Sequence, residues 1–313
     1  MNLPEGLEFK NADPAKVISH LCGLDRKNII TAPELLEVVY DGGEVLLRVS
    51  NGSENLYPVR KSFLYKILNW YHFQKELIPK LTMKTLVSIA NDFIRNIKSR
   101  EVNVKIENGE ALTITSQNYT EFSDLMVIDI AKEYGIQSIS RNDFFMRIYI
   151  KNVRDIEPIK GEVFGFGYNI FNSETGFRAL SIIPFVLRYI CENGAIIQET
   201  SSTKSMCHFG YKPVEMKEYL LNEFQKTEKS ISNISSGLVE ISRHRAKEFT
   251  RKLIPSLDKM MFRTEREVLL KKLKDDATGF DLYNLLTSYA KNFEIGKQLY
   301  LEQLAGKLLT MLN

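Results

Sequence analysis

The sequence predicts an α+β fold: an antiparallel sheet with packed helices, followed by a long-helix C-terminal third. Three observations carry that prediction. Segments 35–49 and 102–115 are rich in apolar residues on either side of Asp-Gly-Gly and Asn-Gly turns, the pattern of β-hairpins. FFMRIYI at 144–150 and VFGFGYNIF at 163–171 are rich in aromatic and β-branched residues, which suit a pleated surface. From Val214 onward the apolar residues instead recur every three or four positions, the period of a helix face. The chain therefore reads as an α+β domain, 1–213, and a helical region, 214–313, that packs back on it.

The elements follow in order. PAKVISHLCGL, 14–24, is a short helix, with Pro14 in its first turn and Gly23 as its stop. LLEVVYDGGEVLLRV is the first hairpin. KSFLYKILNWYHFQKEL, 61–77, is a helix with Ser62 as N-cap and Pro79 beyond its end. Thr82 caps the next helix, which runs to about Arg100 with Leu86, Ile89, Ala90, Phe93, Ile94 and Ile97 on one face. In VNVKIENGEALTIT a three-residue loop or a bulge sets Ile106 opposite Leu112 and Val104 opposite Ile114, on one buried face.

RALSII, 178–183, reads as a strand. FVLRYICENG after Pro184 reads as a two-turn helix that stops at Asn193-Gly194. Leu220, Phe224, Ile231, Ile234, Leu238 and Ile241 form a helical seam that continues through Phe249 and Leu253 to Pro255 and resumes over 257–274. That length predicts an antiparallel helical pair or a protruding arm, and the seam at 220–241 would serve a homo-oligomer equally well. A last helical region, 280–312, closes the chain.

The composition, 44% hydrophobic and 26% charged over 313 residues, is that of an ordinary globular protein. The start, MNLPEGLEFKNADPAK, lacks a basic segment followed by an apolar run, and no window has the apolar length of a membrane span. Cys22, Cys191 and Cys207 are few, odd in number and far apart, as reduced thiols are. The expectation is a cytoplasmic protein with no membrane partner. Net charge is only +3, but it is uneven: residues 60–105 hold ten Lys/Arg against three Asp/Glu, and 204–274 hold sixteen against nine. Such asymmetry suggests basic surfaces that meet a polyanion, and the first block is the better candidate because acids are scarce in it.

NSETGFRALSIIPFVLRYICENGAII, 172–197, contains a Ser-x-x-Gly turn (Ser173 to Gly176), an apolar strand, and Arg188-x-x-Cys191-x-Asn193-Gly194. TGFDLYNLLTSYAKN, 278–292, holds Tyr283, Asn284 and Thr287 in a Thr-x-x-x-x-Tyr-Asn-x-x-Thr-x-Tyr pattern, and Leu301-Glu302 to Gly306 follows it. Together these segments resemble the phage- and plasmid-borne family called domain of unknown function 932, over residues 160 to 306. Glu192 stands where that family usually has Thr, and Lys291-Asn292 where a His often closes the segment. The resemblance implies an origin on a mobile element, a cytoplasmic setting, and a role in DNA metabolism or in conflict between element and host. It implies no activity.

The chemistry-bearing residues form no enzyme motif. His20-x-Cys22 and Cys207-His208 lack the ligand spacing of a structural zinc site, so no metal is expected. Cys191 has no neighbouring His to act as its base, and no motif calls for a cofactor. Gly161, Gly165 and Gly167 sit within a strand whose other face carries Phe164, Phe166, Tyr168 and Ile170, a face that suits core packing better than a stacking platform. Arg178 and Arg188, inside an apolar stretch, are expected to be ion-paired.

Nucleic-acid binding has more support. Arg60, Lys61, Tyr65, Lys66, Trp70, Tyr71, His72 and Lys75 interleave cations, which neutralise phosphates, with aromatic faces, which stack on unpaired bases. Arg243, Arg245, Lys247, Arg251 and Lys252 form a second basic cluster around the long helix. The sequence thus reads as a non-enzymatic, nucleic-acid-associated protein of a phage or plasmid that contacts single-stranded DNA or DNA backbone. The alternative is a mobile-element protein whose helical arm binds and inhibits a host or defence protein.

Overall fold

The structure, a computed structural model, describes residues 3–188, 193–196, 205–227 and 231–311. The chain opens with β1 (Phe9–Ala12), α1 (Pro14–Cys22) and β2 (Arg26–Thr31). A meander of β3 (Leu36–Asp41), β4 (Glu44–Asn51) and β5 (Ser53–Pro58) follows. Next come α2 (Lys61–Trp70), α3 (Met83–Arg95), β6 (Val102–Glu107), β7 (Glu110–Ser116) and α4 (Asp124–Ala131). Five strands complete the β structure: β8 (Ile136–Arg141), β9 (Met146–Ile159), β10 (Glu162–Asn172), β11 (Ser181–Arg188) and β12 (Asn193–Ile196). The last third holds α5 (Pro213–Thr227), α6 (Ile231–Arg243), α7 (Ala246–Leu257), α8 (Arg263–Leu270), α9 (Gly279–Ala290) and α10 (Ile295–Leu308).

The strands form three antiparallel sheets, in the orders β1-β8-β9-β10-β11-β12, β2-β6-β7 and β3-β4-β5, so the fold is α+β. One apolar core joins the two small sheets to α2 and α3 through Leu47, Phe63, Ile67, Leu86 and Val104. The other covers the six-stranded sheet, where Ile148, Phe164 and Phe166 meet Leu220, Leu238, Phe249 and Tyr283 from the C-terminal helices. The change of character near residue 213 is therefore a change of secondary structure inside one core.

Local chemistry explains most boundaries. Asp13 accepts from the Ala15 and Lys16 amides at the start of α1, and Thr82 accepts from Thr85 N at the start of α3. Asp41 pairs with Glu44, leaving Gly42 and Gly43 to turn the first hairpin at φ +57° and +95°, conformations that favour glycine. Phe164, Phe166 and Ile170 are fully buried, so the aromatic face of β10 is core.

Several expectations are corrected. Residues after Pro184 do not start a helix: 181–188 and 193–196 are paired strands, and Tyr168 faces Pro184 in the ladder. Both faces of β11 are buried, so its continuous apolar run marks a two-sided strand. In the second hairpin Val104 does face Ile114, but Ile106 faces Ala111, and the irregularity falls between Lys105 and Ile106. Ser62 is not an N-cap; Arg60 holds that position, and the Ser62 hydroxyl donates to Leu112 O at 2.6 Å. The helix of 61–77 ends at Trp70, and the next ends at Arg95 short of Arg100. The long seam is no arm. It is broken into short helices, and Leu220, Phe224, Ile234, Leu238 and Ile241 are all spent on the intramolecular core. No helix among the described residues is long and apolar enough to cross a membrane.

Candidate functional site

The basic and aromatic residues of 60–75 scatter to different environments. Arg60 is only 4% exposed and binds Glu107, Glu110 and Asp143 at 2.8, 2.6 and 3.1 Å. It is an internal ion-pair partner, with no guanidinium surface left for a phosphate. Lys61 pairs with Glu5 at 2.7 Å and lies over the Tyr65 ring. Tyr65 packs edge-on to Phe144, and Tyr71 stacks on Phe93. The Lys75 side chain lies outside the described residues. In the second basic cluster, Arg243 at the end of α6 reaches Glu240 at 3.6 Å, Lys247 on α7 reaches Asp275 at 3.5 Å, and Arg245, Arg251 and Lys252 are exposed. Lys66 is buried, and its surroundings define the site.

Lys66 and Trp70, one helical turn apart on α2, form one wall of a cavity of ≈ 340 Å³. Thr115 and Ser116 at the end of β7 and Tyr119 form the second wall. Gly176, Phe177 and Arg178 from the Ser-x-x-Gly segment form the third, and Cys207, His208 and Phe209 the fourth. No carboxylate lines this cavity among the described residues.

The third wall is held by a buried, hydrogen-bonded loop. Asn172, Ser173, Glu174 and Thr175 are each 5% exposed or less. Ser173 Oγ donates to Phe144 O at 2.6 Å, and Thr175 Oγ1 donates to Asp143 O at 2.9 Å. Glu174 accepts from the Asp124 amide at 2.8 Å and pairs with Arg26 at 3.0 Å. Tyr119 Oη donates to Ser173 O at 2.5 Å, fixing the second wall to the third. The Ser-x-x-Gly signature thus builds the cavity wall.

Behind the loop, Arg26, Arg60, Lys105 and Arg141 meet Glu107, Asp124, Asp143 and Glu174. Arg141 binds Asp124 at 2.9 Å and lies within 4 Å of Glu107 and Glu174. Burial alone would raise Glu107, but Arg141, Arg26 and Arg60 hold its carboxyl below the usual range. Burial and the Glu174 charge push Asp124 up to about 6. These groups join β2, β6 and β8, so they tie the two cores together beneath the cavity.

Arg178 was expected to be ion-paired. Instead its guanidinium sits 3.6 Å over the Phe171 ring and 5.6 Å from Phe145, with no carboxylate against it among the described residues. Burial, with the Arg147 charge behind it, brings its pKa down to about 10. Arg188 does pair, with Glu162. Sequence reasoning named Trp70 and Lys66 but missed Tyr119, Phe177 and His208, which come from segments far apart in the chain. Only the Ser-x-x-Gly turn signalled them.

A second cavity, ≈ 350 Å³, lies between β9 and the last two helices, lined by Lys10, Arg147, Thr287, Lys291, Gln298 and Glu302. Here Arg147 is paired: it meets Glu302 at 3.0 Å and donates to Asn169 Oδ1 at 2.6 Å. Thr287 donates back to Tyr283 O at 3.0 Å, while the buried Tyr283 hydroxyl and Asn284 Oδ1 have no hydrogen-bond partner. Cys22 and Cys207 are exposed free thiols, and no cluster of three metal-ligating side chains forms among the described residues. Cys191 lies outside those residues; Asn193 and Gly194 open β12.

The chain matches no family model, no curated protein and no solved structure. The resemblance to the domain of unknown function 932 rests on the quoted segments alone.

Proposed function

We propose that the cavity between α2 and the Ser-x-x-Gly loop receives a nucleotide unit of a single-stranded nucleic acid. One observation carries this reading: Arg178, a guanidinium with no carboxylate against it among the described residues, lines a cavity walled by Trp70, Phe177 and Phe209. Phosphate requires the cation, and an unpaired base requires the aromatic faces. Phe209 is 58% exposed, so the aromatic surface continues out of the cavity, as a strand rather than an enclosed small molecule requires. Arg251 and Lys252, exposed on α7, supply further cations for backbone phosphates. An origin on a phage or plasmid follows from the resemblance and accords with such a role. A protein partner is the second reading, favoured by Phe262, which is 81% exposed at the start of α8.

Fluorescence anisotropy of a labelled single-stranded oligonucleotide, titrated with protein across a salt series, tests the proposal. Binding should weaken steeply as salt rises, because released counterions drive it. Arg178→Gln should weaken binding by roughly tenfold, as loss of a charge-assisted contact does, and lower the salt slope by about one. Salt-independent binding, or an Arg178→Gln variant that binds like the parent, would contradict the proposed site.

A further inference from the structure

Lys66 has an unusual setting for a lysine. Its residue is 7% exposed, its ammonium donates to Gly176 O at 2.7 Å, and it lies 5.2 Å from the centre of the Phe177 ring. No carboxylate pairs with it among the described residues. Gly176 makes this approach possible. It adopts φ +73°, and a Cβ there would stand 2.5 Å from Lys66 Nζ. Burial without a counter-ion lowers the amine to about 8. At pH 7 about a tenth of such a group is neutral, against roughly 0.04% of a lysine at its ordinary value, a difference of a few hundredfold.

His208 lines the same cavity, 5% exposed and stacked on Tyr119 with ring centroids 5.2 Å apart. Its Nδ1 lies 3.1 Å from Thr120 O, and a carbonyl only accepts, so Nδ1 carries the proton. Nε2 is therefore a buried lone pair, and it has no partner among the described residues. Tyr119, Arg178 and Cys207 are the other titratable or charged groups lining the cavity, with Glu174 and Glu121 acting on Tyr119 and His208.

We propose that Lys66 Nζ forms an imine with an aldehyde carbon delivered into this cavity, the aldehyde being the open-chain C1′ of an abasic sugar in a single strand. The identity of that aldehyde rests on the nucleic-acid reading above; the amine chemistry does not. The neutral amine's lone pair attacks the carbonyl carbon, a C–N bond forms, and the C=O π pair moves to oxygen. The nitrogen loses one proton to the His208 Nε2 lone pair, and the imidazolium so formed returns that proton to the oxygen, giving the carbinolamine. The remaining N–H proton follows the same route to the hydroxyl, which leaves as water, giving C=N with no change of oxidation state overall.

The test incubates the full-length protein with an oligonucleotide bearing an abasic aldehyde, the same oligonucleotide with a tetrahydrofuran analogue that lacks the aldehyde, and glycolaldehyde phosphate as a small free aldehyde. Borohydride reduces any imine to a secondary amine, peptide mass spectrometry maps the adduct, and anisotropy reports strand binding in parallel. The expected result is a borohydride-dependent adduct on Lys66 with the abasic strand, none with the analogue, and at least a hundredfold loss of adduct in Lys66→Arg. Mapping in the unmodified protein carries the result even where that variant folds poorly. Strand binding with no adduct, or with adducts spread over other lysines, overturns the imine and leaves the strand reading intact. An adduct on Lys66 from the small aldehyde with no strand binding keeps the imine and removes the strand as its source. Neither binding nor adduct overturns both.

Discussion

Replacing Arg141 by methionine is expected to lower stability by about 3–5 kcal/mol, the usual consequence of removing one partner from a buried ion pair. Arg141 is 4% exposed and serves three carboxylates, Asp124 directly and Glu107 and Glu174 within 4 Å. Its loss would leave them facing one another, with Arg26, Arg60 and Lys105 as the remaining counter-charges. The destabilisation comes less from the lost attraction than from carboxylates stranded out of water. Chemical denaturation read by circular dichroism checks this. Arg95→Met, which removes an exposed pair with Asp92 at 3.1 Å, should change stability by less than about 1 kcal/mol. Equal effects at the two arginines would show that the buried cluster does not hold the cores together.

Gly167→Ala is expected to lower stability by about 2–3 kcal/mol through overpacking. A Cβ at Gly167 would stand 2.1 Å from Ile150 O and 2.6 Å from Phe185 Cζ. The first contact is the backbone of β9, which is paired to β10 at Tyr168 and Ile150, so it moves only if the ladder opens. The second is a ring stacked on Tyr149, with centroids 4.3 Å apart. Neither neighbour is a flexible side-chain end. Gly23→Ala, whose Cβ meets nothing closer than 3.6 Å, serves as the control and should stay within about 0.5 kcal/mol. A Gly167→Ala protein as stable as the parent would mean that the central strands pack more loosely than described.

The two positions also show what the sequence made legible. The glycines of β10 alternate with aromatics, which was enough to read a strand with one crowded face, and Phe185 is what crowds it. The neighbouring stretch after Pro184 was misread because a strand buried on both faces and a buried helix share a continuous apolar pattern. Periodicity could not separate them; pairing with β10 and β12 decides it. The seam of 220–241 was legible as helix, but where its apolar side turned was not, since it packs onto strands far from it in the chain, β9 and β11 among them.

For the proposed site, the interleaved cations and aromatics of 60–75 pointed to a helix that walls a cavity, but they do not form one surface there. A count of charges in one segment omits partners from elsewhere. Glu107 and Asp143 take up Arg60 and bury it. Lys66 turns inward to a carbonyl that only the glycine of the Ser-x-x-Gly turn can bring so close. Arg178, read as a paired cation, is instead held over Phe171, and no carboxylate among the described residues lines that wall. Ion pairing across long sequence separations is set by the fold and leaves no local trace.

The chain contains a single tryptophan, Trp70, and it lines the cavity. Its intrinsic fluorescence therefore reports on the proposed site alone, without a label. Titration with a short unlabelled oligothymidylate at low salt should quench that emission saturably as a base stacks on the indole, and raising the salt should reverse the quenching. Binding seen by anisotropy with Trp70 emission unchanged would place the nucleic acid elsewhere on the molecule, and no binding by either readout would contradict the account of the cavity as a nucleic-acid site.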